Sequence, residues 1–400
     1  MERTIYREIK ATAHIWETAV VLVAFIAAAL GSVIYVEHYG HIVTGMTNQI
    51  VWGLPHVFAI FLIVAASGAL NVASMASVFD KAVYKPLARL SALLAMALLI
   101  GGLAVLVLDL GRPDRIIVAM ITYNFSSIFA WNIFLYTGFL AIVGVYLFVQ
   151  MSRGKPHEYV RSIGTLAFVW RLALTTGTGS IFGWLVARPG YDAAILAPLF
   201  IAMSFSIGLA VFILVTSALC RLSGRPVGAM LLSRMGRLLA IFAAAVLYFT
   251  AVRHLTNLYA AEHSGFEHFT LFAGGIYTLL FWIGQVAIGG VIPILMIFHP
   301  TFGKTSLAPI AASVLVVVGG FAQVYVIVIG GQAYPTALLP GYEVSSSFYD
   351  GAVAAYTPSL PELLLGLGGV AIALFATGLG AKILRVLPTN LSDANLNQQS

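Results

Sequence analysis

The chain has 400 residues, of which 60% are hydrophobic and only 9% are Asp, Glu, Lys or Arg. A water-soluble domain carries about 25% charged residues, so a soluble enzyme or a soluble binding module is excluded. The formal net charge is +6, but the basic residues sit in short gaps between apolar stretches, which argues against a nucleic-acid partner.

A hydrocarbon core about 30 Å thick needs roughly 20 apolar residues of helix. Ten stretches meet that need, at 13–36, 54–79, 87–109, 125–151, 163–187, 193–220, 238–261, 271–298, 307–331 and 361–387. The expectation is an all-α polytopic membrane protein of about ten transmembrane helices. Spans two to five and six to nine read as two four-helix bundles, with the first and tenth spans flanking them. No Ser/Gly linker or charge block divides the chain. Residues 1–388 therefore read as one membrane domain and 389–400 as a polar, disordered cytoplasmic tail.

Glu2, Glu8 and Glu17 interrupt the basic leader that a cleavable signal requires. Of the basic residues, sixteen fall on the side of the termini, only Arg112, Arg115 and Arg188 on the other, and Arg171 and Arg253 inside spans. The positive-inside rule then puts both termini in the cytoplasm and requires an even number of spans. Two outer connections are long, 37–53 and 332–360, the second rich in Pro, Tyr and Ser. Long connections are often functional, although a loop lying over helix ends accounts for this one equally well. Glu262, Glu267, Glu343 and Asp350 make the outer side acidic and suited to a basic partner surface. Cys220 is the only cysteine, so no disulfide framework and no cysteine-based metal or iron–sulfur site is expected.

Ionisable groups inside spans are expensive and mark function by default. His56 follows Pro55 at the outer start of span two, and Asp109 closes span three at the same outer level, with Arg112 just beyond. An imidazole and a carboxyl side by side in an apolar cleft suit hydrogen bonding and proton exchange with a quinone head group. The competing reading is an interfacial His and a helix-end Asp–Arg pair that only anchor the ends. Arg171 lies midway in span five; Arg253 and His254 lie in the outer half of span seven, one turn before Asn257. They read either as a proton path reaching Glu262 or as structural groups bonded to backbone carbonyls. His56 and His254 are the only histidines in the same half of the membrane, a weak basis for a bis-histidine haem.

Trp52-Gly53-Leu54-Pro55-His56 opening one span and Leu108-Asp109-Leu110-Gly111-Arg112-Pro113 closing the next resemble the signatures of the NrfD/polysulfide reductase family. Within that family, the stretch from Gly331 to Ser347 and Pro358-Ser359-Leu360-Pro361-Glu362 look most like the DsrP subunit of the DsrMKJOP complex. The resemblance runs through most of spans two to nine. It implies a bacterial inner-membrane subunit of a respiratory or sulfur-metabolism redox complex, quinone-reactive rather than a stand-alone enzyme. It further implies menaquinone or ubiquinone as exchangeable substrate, no haem or iron–sulfur cluster of its own, and a docked periplasmic iron–sulfur partner such as DsrO. His56 matches the family's quinone-liganding His, Asp109 matches an acidic residue beside the quinone, and Tyr191 is the nearest candidate for a Tyr on the quinone. Spans one and ten are additions to the eight-span members.

Two other classes compete. A secondary transporter would use Arg171, Arg253 and Gln285 along a path, with Thr175-Thr176-Gly177-Thr178-Gly179 as an unwound segment. A passive anchor would hold redox partners without binding quinone.

Overall fold

A computed structural model describes residues 4–10, 12–152, 154–336 and 351–393. Nine of its helices are long and apolar enough to cross a membrane: α1 (Ala13–Tyr39), α2 (Leu54–Ser77), α3 (Ala82–Leu108), α4 (Ile128–Met151), α6 (Leu196–Leu222), α7 (Ala229–Tyr259), α8 (Gly275–Phe298), α9 (Leu307–Ala333) and α10 (Leu360–Ile383). The tenth, α5 (Val160–Gly183), packs between α4 and α6. Its mean hydropathy is lowered by Arg171, Thr175, Thr178 and Ser180, all of which are buried, while Leu166 and Val169 stay on the outside. The chain is thus an all-α, multi-pass membrane protein.

Both ends of the chain meet at one face. Tyr6 bridges to Pro388, and the Ile9 amide donates to the Ala381 carbonyl at 3.1 Å. Arg225, from the α6–α7 connection, donates to the carbonyls of Leu387 and Glu8, each at 2.8 Å. An even number of crossings follows, as the distribution of Lys and Arg requires.

Helices α2–α5 form one bundle and α6–α9 the other. They join along α2 and α6, where a Cβ on Gly68 would run into the Ser204 carbonyl and one on Gly208 into the Gly68 backbone. Only small residues permit such an approach. α2 is the central helix, its whole apolar stretch buried. α10 covers α2 and α3, and α1 packs on α10 with most of its surface exposed.

Several expectations need correction. α7 starts at Ala229, nine residues before the apolar stretch, because Asp393 accepts from the Met230 amide at 3.1 Å and holds its first turn. Residues 389–393 are therefore docked rather than disordered: Leu391 is buried, and its backbone bonds to Pro226 and Gly228. Residues 394–400 lie outside the described residues, as do Pro340, Tyr342 and Tyr349 of the long outer connection. Ser264–Leu271 is a separate short helix, cut from α8 by Gly274 and Gly275 in the left-handed region. Thr175–Gly179 is regular helix, so the one stretch offered for a transporter's unwound segment is wound. Irregular hydrogen bonding falls instead in α8 at Leu280–Val291 and in α9 at Val326–Gly330, both with π-type turns.

α2 is interrupted at Leu70. Ser91 of α3 enters its ladder, donating to the Ala69 carbonyl at 2.7 Å and accepting from the Ala73 amide at 3.0 Å. An inserted side chain of this kind is a recognised cause of helix bending.

Candidate functional site

The segment Trp52–His56 is a helix start held by distant parts of the chain. Pro55 sits in the first turn of α2, where its missing N–H removes no helix bond. The Leu54 amide donates to the Tyr356 hydroxyl at 2.6 Å, and that hydroxyl donates to Glu362 Oε1 at 2.7 Å. Glu362 is buried; its Oε2 accepts from the amides of Gly45 at 2.8 Å and Ser359 at 2.7 Å, the second bond completing a capping box at the start of α10. Gly53 is required here, since a Cβ would collide with the Glu362 carboxylate and the Tyr356 hydroxyl. Burial, then the bond to Glu362, pushes the Tyr356 hydroxyl up from its ordinary value and keeps it a donor.

Gln332, at the end of α9, fixes the preceding residues. Its Oε1 accepts from the amides of Val51 and Trp52, both at 3.0 Å, and its Nε2 donates to the Trp52 carbonyl at 3.0 Å. Arg188 donates to the Gln332 carbonyl at 3.0 Å and the Gln49 carbonyl at 3.1 Å. The Trp52 indole is thereby set at the centre of an aromatic group: it stacks on His56 at 6.2 Å between centroids and meets Phe129, Phe182 and Tyr191 within 5.8 to 6.2 Å.

His56 then faces Asp109, the C-cap of α3. His56 Nδ1 and Asp109 Oδ2 approach to 2.8 Å, with side-chain exposures of 17% and 5%. The approach lies off the line of a hydrogen bond, so both buried atoms lack a hydrogen-bonding partner. Buried polar atoms are nearly always satisfied, and two left open at one point form a place for a ligand's polar group. The ring of His41 lies against Gly111, two residues beyond Asp109, and its Nδ1 is also buried without a hydrogen bond.

Arg112 and Tyr191 are placed differently from expectation. Arg112 is exposed and forked onto Asp114, with Nε–Oδ1 at 3.0 Å and Nη2–Oδ2 at 2.9 Å, rather than paired with Asp109. The Asp114 carboxyl is held below its usual range by that guanidinium. Tyr191 is fully buried against Trp52, and its hydroxyl donates to the Val328 carbonyl at 2.6 Å.

A second polar group lies in the α6–α9 bundle. His254 Nδ1 meets Glu267 Oε2 at 2.6 Å, Asn257 Nδ2 donates to Glu267 Oε1 at 2.9 Å, and Arg253 Nη2 donates to the Gly190 carbonyl at 2.6 Å. The sequence reading put Glu267 on the acidic outer surface, but its side chain is fully buried. Glu262 is exposed; Glu343 and Asp350 lie outside the described residues. Gly190 adjoins Tyr191, so this group touches the same connection that backs Trp52.

Arg171 belongs to neither group. It is fully buried in α5, where Nη1 donates to the Ser67 carbonyl at 3.1 Å and Nη2 to Asn71 Oδ1, across the break in α2. The rings of Phe168 and Phe205 flank its guanidinium at 5.0 and 4.8 Å. Among the described residues, no three His, Cys, Asp or Glu side chains converge on a metal position.

Trp52, His56 and Asp109 all fall within residues 42–336, which match the family described as Polysulphide reductase, NrfD. Tyr356 and Glu362, which brace the start of α2, lie beyond that match. An integral membrane subunit of an Hdr-like menaquinol oxidoreductase from Archaeoglobus fulgidus is 28% identical over 372 residues, covering 92% of this chain and 93% of the relative. A selenate reductase subunit from Mesobacillus selenatarsenatis is 23% identical, covering 83% and 86%. A polysulfide reductase subunit from Wolinella succinogenes is 23% identical, covering 72% and 96%. With nearly three quarters of its length matched, the protein belongs to the NrfD family.

Proposed function

We propose that this protein is the membrane subunit of a redox complex and exchanges electrons with a membrane quinone at the outer ends of α2 and α3. The observation that carries the reading is the approach of His56 Nδ1 to Asp109 Oδ2, two buried polar atoms without hydrogen bonds beside the Trp52 indole. A quinone head group is flat, apolar across its ring and polar at its oxygens, which suits an aromatic wall next to an imidazole and a carboxyl. His56 and Asp109 bind one oxygen of the head group and exchange its proton. Trp52 orients the ring, and Tyr191 backs Trp52 while its hydroxyl stays committed to Val328. Arg112, exposed three residues beyond Asp109, is assigned to the edge of the site. The name of the archaeal relative favours menaquinone over ubiquinone.

Electrons pass between the site and an iron–sulfur subunit of the DsrO type docked on the periplasmic face, within a DsrMKJOP-type assembly in the bacterial inner membrane. Both termini are cytoplasmic in this reading, because sixteen of the basic residues lie on their side. Each two-electron exchange with the quinone moves two protons on or off its oxygens. Arg253, His254 and Glu267 offer a buried route for them, whereas Arg171 is assigned to holding the break in α2.

Cross-linking of the purified complex tests the arrangement. Cross-links from the iron–sulfur subunit should map to the face carrying Arg112 and Glu262. Cross-links found only at Lys81–Lys85 or 221–237 would overturn it.

A further inference from the structure

On the opposite face, where the two termini meet, a cavity of about 1440 Å³ opens between residues 4–8, the ends of α2 and α4, and the starts of α3 and α5. Its floor is apolar, formed by Ala76, Ala88, Met151 and Val160, and its walls are basic. Arg89 is fixed at the back, donating to the carbonyls of Gln150 at 2.9 Å and Arg385 at 3.1 Å, with Tyr6 stacked 4.0 Å from its guanidinium.

Three acids also line the cavity, and two of them are already neutralised. Glu8 accepts from Arg385 at 2.8 Å and Asp80 pairs with Lys85 at 2.7 Å, both carboxyls being held below their usual range by those cations. Glu158 is the third. Arg7 and Arg161 stand at the rim with no salt bridge among the described residues. The Gln150 side chain, 95% buried on this wall, meets the Tyr146 hydroxyl, and its backbone carbonyl holds Arg89.

We propose that this cavity binds the phosphate headgroup of an anionic phospholipid. Basic pockets between transmembrane helices at the positively charged face suit phosphodiester headgroups, and here the fixed Arg89 cation at the back stands opposite Arg7 and Arg161 at the rim. The apolar floor favours an amphiphile over a free anion, which gains nothing from Met151 or Val160. Such a lipid would tie the amino-terminal segment to α2–α5. The proposal does not rest on quinone binding at the other face.

The test is native mass spectrometry of the delipidated full-length protein, titrated separately with cardiolipin, phosphatidylglycerol, phosphatidylethanolamine and inorganic phosphate. Both anionic lipids should bind at least about tenfold more tightly than phosphatidylethanolamine, and inorganic phosphate should not displace them. The R7Q/R161Q double variant changes two exposed side chains and should melt like wild type without lipid, while losing the anionic preference. R221Q/R237Q, on the same face but away from the cavity, should retain it. Equal binding of all three lipids, equal loss in both double variants, or displacement by inorganic phosphate would overturn the proposal. So would cross-links from positions 7 and 161 to a protein partner in a complex without bound anionic lipid.

Discussion

His254 and Glu267 are joined at 2.6 Å inside the second bundle, the carboxyl fully buried and its other oxygen bonded to Asn257. The two residues come from different elements, α7 and the short helix Ser264–Leu271, so the pair fixes that helix against the bundle. Removing the carboxyl leaves the His254 ring nitrogen and the Asn257 amide without their buried acceptor, at a cost of about 1–3 kcal/mol. Glu267→Ala should therefore destabilise the protein by about that much. In His254→Ala/Glu267→Ala the combined loss should fall short of the sum of the single losses, measured by thermal unfolding in detergent.

The same pair offers a test of the proton route. In sealed vesicles, Arg253→Leu and Glu267→Gln should lower the proton exchange that accompanies electron transfer while leaving quinone affinity at the wild-type level. Full proton exchange in both would reduce these residues to structural bonds.

Gly53 should tolerate no side chain. Gly53→Ala forces the Glu362 carboxylate and the Tyr356 hydroxyl away from the start of α2, an overpacking that costs about 1–3 kcal/mol. It should also weaken quinone binding by displacing Trp52 and His56. Gly378→Ala, where a Cβ meets open space, should leave stability and binding unchanged.

The architecture was legible in the sequence because the bilayer imposes it. Ten apolar stretches and a lopsided distribution of Lys and Arg follow from the cost of polar groups in lipid. The approach of His56 to Asp109 was legible too, since span two starts and span three ends at one surface. Glu267 was not, because an acidic residue between spans seven and eight reads as solvent-exposed until the short helix that buries it is seen. Tyr356 and Glu362 lie about 300 residues from Leu54, a contact no local pattern reveals. The one local signal was Ser359 followed three residues later by Glu362, a capping-box spacing that marks the start of α10. The left-handed break at Gly274 and Gly275 was signalled only by the paired glycines.

Tyr356 links stability to alkaline pH. Its folded hydroxyl titrates above the ordinary tyrosine value near 10, so the folded state retains a proton that the unfolded chain releases. Its contribution is intact below about pH 10 and is lost as pH rises toward the folded value. Tyr356→Phe should be less stable than wild type at neutral pH by about 1–3 kcal/mol, from the unmet Leu54 amide and Glu362 oxygen. The gap should narrow above pH 10 in chemical unfolding followed across pH.

Quinone affinity of the purified protein, measured by titration in wild type, His56→Ala and Asp109→Asn, tests the central claim most directly. An unmet buried partner costs about 1–3 kcal/mol, so each variant should bind menaquinone roughly 5- to 150-fold more weakly, with α-helical content and melting behaviour close to wild type. Wild-type affinity in both variants would contradict the assignment of the site to the outer ends of α2 and α3.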